Sequence, residues 1–166
     1  NIEIDLGNTN LKNLGSDLIE NFSCGLGSEH NLEFNYHLKP EEHSLVDVRL
    51  LRHVLENILS NAIKYSAPDS TITLDISKDE EHLLFQVRDE GIGIPLQDQE
   101  KLFEAFHRAS NVGDIPGTGL GLSIVKRYVE FQGGTIQVTS MPGEGTTMVI
   151  KLPLNPAPII QIAQGE

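Results

Sequence analysis

The stretch Leu83-Leu84-Phe85-Gln86-Val87-Arg88-Asp89-Glu90-Gly91-Ile92-Gly93-Ile94-Pro95 carries the pattern from which the fold is read. Leu83, Phe85 and Val87 alternate with Leu84, Gln86 and Arg88, which is the period of a strand with one buried face. The same alternation sets Asp89 on the buried side. A carboxylate there is costly unless something donates to it. A water would serve, and so would the exocyclic amino group of a purine. Gly91 and Gly93 then break the strand and let the backbone approach a ring closely. Asp before Gly is also a common strand-ending turn, and this stretch alone does not choose between the two.

Working outward, Ile72, Leu74 and Ile76 predict the preceding strand, joined through 78–82 as a hairpin. Upstream, Leu51, Val54, Leu55, Ile58, Ala62 and Ile63 fall on one stripe of a helix expected over 47–65, with Asp47 as its N-cap. The turn Ala67-Pro68-Asp69 follows it. Nearer the start, alternating Ile2 and Ile4 predict a short strand. Leu11, Leu14, Leu18, Ile19 and Phe22 then predict a helix capped by Thr9 or Asn10 and ended by Gly25 and Gly27. Leu32, Phe34 and Tyr36 alternate as a strand before Pro40, and Leu45-Val46 form at most a short one.

Downstream, a short helix is expected over 97–103, then a mobile loop over 105–116 by its aperiodic composition. A helix opened by Gly117-Thr118-Gly119-Leu120-Gly121-Leu122 runs to Gln132 and stops at Gly133-Gly134. Strands over 135–140 and 146–152 flank Met141-Pro142-Gly143-Glu144-Gly145. This order predicts an α/β fold: a two-layer sandwich whose mixed, mostly antiparallel sheet is covered on one face by helices, the other face being wetter. One domain is expected over 1–153, with 154–166 as tail or linker.

Composition narrows the function. The chain has 166 residues, 39% hydrophobic and 22% charged, the profile of an ordinary globule. Its formal net charge of −12 argues against a nucleic-acid surface. The single cysteine, Cys24, excludes an internal disulfide and a cysteine-built metal site, and suits a reducing cytoplasm. Neither a run of about eighteen apolar residues nor an export signal is present. The chain opens on Asn1, so it is expected to be part of a longer protein.

Four groups of residues could carry chemistry. At about 100° per residue, Asn57, Asn61 and Lys64 share one side of the long helix, with Tyr65 beside Asn61. An amide oxygen suits Mg²⁺, a lysine neutralises phosphate, and a tyrosine ring covers a flat base; a solvated helix face would look the same. Asp89 with its glycines is the second group. Phe103 and Phe106 could anchor the loop while Arg108 reaches inward to phosphate, or the two rings could simply pack. Gly117, Gly119 and Gly121 open a helix whose free N–H groups favour an anion.

Taken in order, these groups resemble the catalytic ATP-binding domain of sensor histidine kinases. The run Leu55-Glu56-Asn57-Ile58-Leu59-Ser60-Asn61-Ala62-Ile63-Lys64-Tyr65-Ser66 is similar to that family's asparagine box. Asp89-Glu90-Gly91-Ile92-Gly93 resembles its first glycine box, Phe103-Glu104-Ala105-Phe106 its phenylalanine box, Gly117 to Leu122 its second glycine box, and Gly143-Glu144-Gly145-Thr146 its closing motif. The resemblance implies a Bergerat-type ATP fold, with ATP and Mg²⁺ as ligands. It implies Asn61 as the Mg²⁺ ligand, Asn57 and Lys64 near the phosphates, Tyr65 beside the adenine and Asp89 as acceptor of its amino group. Gly91, Gly93, Ile94, Phe106 and Thr146 would complete the nucleotide site, and Gly117, Thr118, Gly119, Leu120, Gly121 and Leu122 the lid hinge and phosphate backbone. Asn57, Lys64 and Arg108 would be the catalytic set.

One departure from the related hydrolases is informative. Where they carry a water-activating glutamate, one turn before the metal asparagine, this chain has Asn57; Glu56 points about 100° away. Phosphoryl transfer to a histidine is therefore expected rather than hydrolysis. None of His30, His37, His43, His53, His82 and His107 sits in a phosphoacceptor setting. The acceptor would lie on a separate dimerisation and histidine-phosphotransfer domain, with a response regulator downstream. The domain itself is expected to be cytoplasmic and monomeric. A conformational ATPase, a degenerate binding module and an anti-sigma serine kinase are the rival readings.

Overall fold

Alternating apolar residues become the inner face of a five-stranded sheet in the computed structural model, which describes residues 2–115, 117, 119 and 121–156. In chain order the elements are β1 (Gly7–Thr9), α1 (Leu11–Cys24), β2 (Asn31–Tyr36), β3 (Ser44–Val46), α2 (Val48–Lys64), β4 (Thr71–Lys78), β5 (His82–Asp89), α3 (Leu96–Gln99), α4 (Gly121–Phe131), β6 (Thr135–Met141) and β7 (Gly145–Pro153). The main sheet runs β2-β4-β5-β7-β6. Only β2 and β4 pair in parallel; the other three pairings are antiparallel. The mixed, mostly antiparallel two-layer sandwich expected from the sequence is thus present.

The core lies between the sheet and helices α1, α2 and α4. Ile72, Leu74 and Ile76 of β4, Leu83, Phe85 and Val87 of β5, and Met148, Ile150 and Leu152 of β7 meet Leu11, Leu14 and Leu18 of α1 and the apolar stripe of α2. Val125 and Val129 bring α4 onto the same core. Because β5 is the middle strand, its C-terminal end is flanked on both sides, and whatever stands there is held by neighbouring strands.

Three expectations shift. The alternation of Ile2 and Ile4 does not form a strand; the pairing falls instead on Gly7–Thr9, which lies antiparallel to β3 in a separate two-stranded sheet. The helix expected over 97–103 covers only Leu96–Gln99 and passes into turns. At α1 the choice of cap is Asn10, whose Oδ1 accepts from Asn13 N at 3.1 Å. Of the expected tail, residues 154–156 are described and 157–166 lie outside the described residues. No described helix is long and apolar enough to cross a membrane.

Asp47 caps α2 as expected and does more. It is 1% exposed. Its Oδ1 accepts from the backbone N–H of Arg49 at 3.1 Å and of Leu50 at 3.2 Å. Its Oδ2 accepts from the N–H of Asp5 at 2.8 Å and from the Arg49 guanidinium at 2.9 Å. Burial alone would raise its pKa, but these donors together hold it below the usual carboxylate range. A depressed carboxyl contributes stability above the unfolded-state pKa and loses it as pH falls through the folded one. Asp47→Ala should therefore cost about 2 kcal/mol in urea unfolding at pH 7. The gap between the two proteins should narrow below about pH 4; a gap independent of pH would contradict the role given to the charged cap.

Candidate functional site

α2 and the end of β5 face each other across a cavity of about 370 Å³. Asn57, Asn61, Lys64 and Tyr65 enter from the helix, Val87 and Asp89 from β5, Thr146 and Met148 from β7. Gly93 and Ile94 form one edge; His107, Arg108, Ala109 and Val112 close another; Gly117, Gly119, Gly121 and Leu122 lead into α4. The helical spacing of Asn57, Asn61 and Lys64 thus puts all three on the cavity side, as expected.

One end of the cavity is built round Asp89. Its Oδ1 accepts from the N–H of Gly91 at 2.8 Å and of Thr146 at 3.2 Å. Its Oδ2 takes no hydrogen bond from the described residues. Burial pushes the carboxyl above its ordinary range, and the Gly91 and Thr146 amides oppose the shift. Gly145, at φ 94°, lets β7 pass against the Asp89 carbonyl, where a Cβ would overlap it. That contact is what delivers the Thr146 amide to the carboxylate.

The turn after β5 is tied down by side chains that sequence spacing did not single out. Ser140 Oγ accepts from Ile94 N at 2.8 Å and donates to the Gly145 carbonyl at 3.0 Å. With its one hydrogen spent there, Ser140 accepts from Thr146 Oγ1 at 2.8 Å. Gln99 Nε2 donates at 2.9 Å to the carbonyls of both Ile94 and Ser140. Asn111 Nδ2 donates at 2.9 Å to the Gly93 carbonyl. Gly93 itself stands at φ 71° with its α-carbon against the Met141 backbone.

The other end is cationic. A Cβ placed on Gly117 would lie 3.4 Å from Lys64 Nζ, 3.4 Å from Tyr65 Oη and 3.7 Å from Arg108 Nε. Two cations and a phenol therefore converge beside a backbone with no side chain. The Arg108 guanidinium also donates to the Ile115 carbonyl. Asn57 Nδ2 donates to the His53 carbonyl at 2.8 Å, which turns its Oδ1 towards Gly121 at the start of α4. Between the ends, the lining is apolar: Ile58, Ala62, Val87, Leu102, Ile124 and Met148. The amphipathic stripes marked these as core, and only the assembled fold shows that the core is open on this side.

Some expected site residues stand elsewhere. Phe106 is 74% exposed, with φ 64°, and does not line the cavity; its amide donates to the Gly119 carbonyl at 3.0 Å. Phe103 packs on the core instead of pairing with it. Gly91 is buried behind the cavity wall and contributes through its amide. Thr118 and Leu120 lie outside the described residues. Glu56 lines a separate groove with His53, Leu18 and Phe22. Among the described residues no three His, Cys, Asp or Glu side chains cluster as a metal site.

Residues 46–156 match the family model described as histidine kinase-, DNA gyrase B-, and HSP90-like ATPase. The chain is 41% identical over 130 residues to the sensor histidine kinase WalK of Bacillus subtilis, covering 75% of this chain and 21% of that protein. It is also 41% identical over 109 residues to the circadian input-output histidine kinase CikA of Synechococcus elongatus, covering 64% of this chain and 14% of that protein. The chain thus spans about a fifth or less of the length of these relatives. Among solved structures it is similar to the mycobacterial sensor histidine kinase MprB (TM-score 0.78, 28% identity, 91% of this chain and 100% of that one). The catalytic domain of the histidine kinase ThkA shares the fold (TM-score 0.80, 22% identity, 92% of this chain and 100% of that one).

A carboxyl whose pKa is raised by folding stabilises the fold when protonated and costs stability as pH rises through that pKa. Asp89→Asn should therefore leave the melting temperature of the ligand-free chain unchanged or higher at pH 7, and bring no gain below about pH 4. Thermal melts at the two pH values measure this; a marked loss at pH 7 would show that the charge itself holds the strand end.

Proposed function

We infer the function from one premise: the chain belongs to the histidine kinase-, DNA gyrase B- and HSP90-like ATPase family. Within that family we read residues 1–153 as the catalytic domain of a sensor histidine kinase and 154–166 as a tail or linker. It binds ATP with Mg²⁺ and hands the γ-phosphoryl group to a histidine on a separate dimerisation and phosphotransfer domain of the longer protein. A response regulator then takes the phosphoryl group, on the cytoplasmic side. The observation that carries this reading is the two-ended cavity, with a half-free buried carboxylate at one end and converging cations at the other.

At the first end, the free Oδ2 of Asp89 accepts the amino group of adenine, while Tyr65, Gly93, Ile94 and Thr146 frame the ring. At the other, Lys64 and Arg108 neutralise phosphate oxygens. The backbone at Gly117, Gly119, Gly121 and Leu122 adds N–H donors and the positive end of α4. Asn61 fits a hard cation through its amide oxygen, with the nucleotide's own oxygens completing a set that the protein's carboxylates do not supply. Bound there, Mg²⁺ would neutralise phosphate charge.

The chemistry is positioning and charge neutralisation. The bond between the bridging oxygen and the γ-phosphorus breaks, ADP leaves, and an imidazole nitrogen of the acceptor histidine takes the phosphorus and gives up its proton. Asn57 offers no base for water in its place. Glu56 sits in the neighbouring groove rather than the cavity, which favours transfer over a conformational ATPase.

The deciding experiment mixes the chain with γ-labelled ATP, Mg²⁺ and the histidine-bearing hairpin of the longer protein. Label should appear on the hairpin as an acid-labile phosphohistidine, and Glu56→Gln should not change the rate. Release of the label as inorganic phosphate at one rate with or without the hairpin would overturn the reading. Loss of the charge-assisted bond in Asp89→Asn should weaken ATP binding about 10- to 100-fold by calorimetry. Asn61→Ala should remove most of the Mg²⁺-dependent part of the affinity while leaving the melting temperature of the free chain in place.

A further inference from the structure

Asp98 has no part in the chemistry above, yet it is 7% exposed on a helix of four residues. Its Oδ2 accepts from the backbone N–H of Ser110 at 3.0 Å and from Ser110 Oγ at 2.8 Å. Its Oδ1 stands 3.4 Å from the buried Nε2 of His107. One carboxylate thus grips both ends of the span His107-Arg108-Ala109-Ser110. Three of these four residues line the cavity, and Ser110 is the one that does not. Gln97 Nε2 approaches Ser110 Oγ at 3.4 Å from the same short helix.

The next residue, Asn111, is anchored separately to the Gly93 carbonyl, on the turn that follows Asp89. The wall bearing Arg108 is therefore fixed from two sides, by α3 and by the β5 turn. The Ser110 amide, then its hydroxyl, then the neighbouring His107 hold the Asp98 carboxyl below its ordinary range, so the grip belongs to the charged form. Nothing in the linear sequence joins Asp98 to Arg108, since the contact reaches Arg108 only through the residues beside it.

We propose that Asp98 is a positioning residue for the phosphates of the nucleotide: through Ser110 and His107 it sets the place from which Arg108 meets them. This rests on the nucleotide reading of the cavity. It assigns α3 a task that packing alone would not, because the side of the cavity holding Asp89 needs no contribution from it.

The test is a binding cycle with the intact chain, measuring ATP and adenosine by calorimetry. Asp98→Ala should weaken ATP about 10-fold and adenosine by no more than about two-fold. In an Arg108→Ala background the same change should alter ATP affinity by less than about two-fold, because the group it positions is gone. Should Asp98→Ala fail to fold, Ser110→Ala reports the same link. It should weaken ATP selectively, and Ser110→Thr, which keeps a hydroxyl, should restore it. Equal losses for ATP and adenosine, or a loss that persists without Arg108, would overturn the assignment and leave the nucleotide reading standing. Binding of neither ligand by the unaltered chain would overturn both.

Discussion

A carboxylate withdrawn from water at the end of the central strand is the constraint round which the site is arranged. Asp89 can stand there only because two amides meet its Oδ1. One comes from Gly91, two residues on; the other comes from Thr146, on a different strand, and requires the close passage of Gly145. Thr146 in turn is bonded to Ser140, which holds Ile94. Satisfying half of one carboxylate thus organises the β5 turn, the start of β7 and the end of β6, and leaves the other half available.

The far end of the cavity follows a different logic. With a formal net charge of −12, the chain as a whole repels anions. Among the described lining residues Lys64 and Arg108 are the permanent cations. They come from unrelated segments, one from the last turn of α2 and one from the stretch after α3, and they meet at Gly117, where the missing side chain leaves room. Local charge and backbone donors there work against the global field, so their placement matters more than their number.

Much of this was legible in the sequence. The stripe of α2, its Asp47 cap and the alternation in β4, β5 and β7 express local periodicity, and periodicity survives folding when one face is buried. The same spacing aimed Asn57, Asn61 and Lys64 correctly. What failed were features decided by distant partners. Ile2 and Ile4 alternate, but the backbone beside them is claimed by Asp47, and the pairing partner of β3 is Gly7–Thr9. Phe106 lies in a favourable motif, yet its backbone turns the ring outward. Ser140, Gln99 and Asn111 hold the β5 turn from 46, 41 and 18 residues along the chain, separations at which spacing carries no signal.

The cap of α2 also has a temporal side. Two of the bonds to Asp47 come from Arg49 and Leu50 and close within a single turn of chain. The bond from Asp5 spans 42 residues, a far larger loop to close. The local pair can form as the helix nucleates, while the long-range one must wait until α1, β2 and β3 have been laid between. The same carboxylate thus serves first as a starting signal for a helix and last as a seal on the assembled fold.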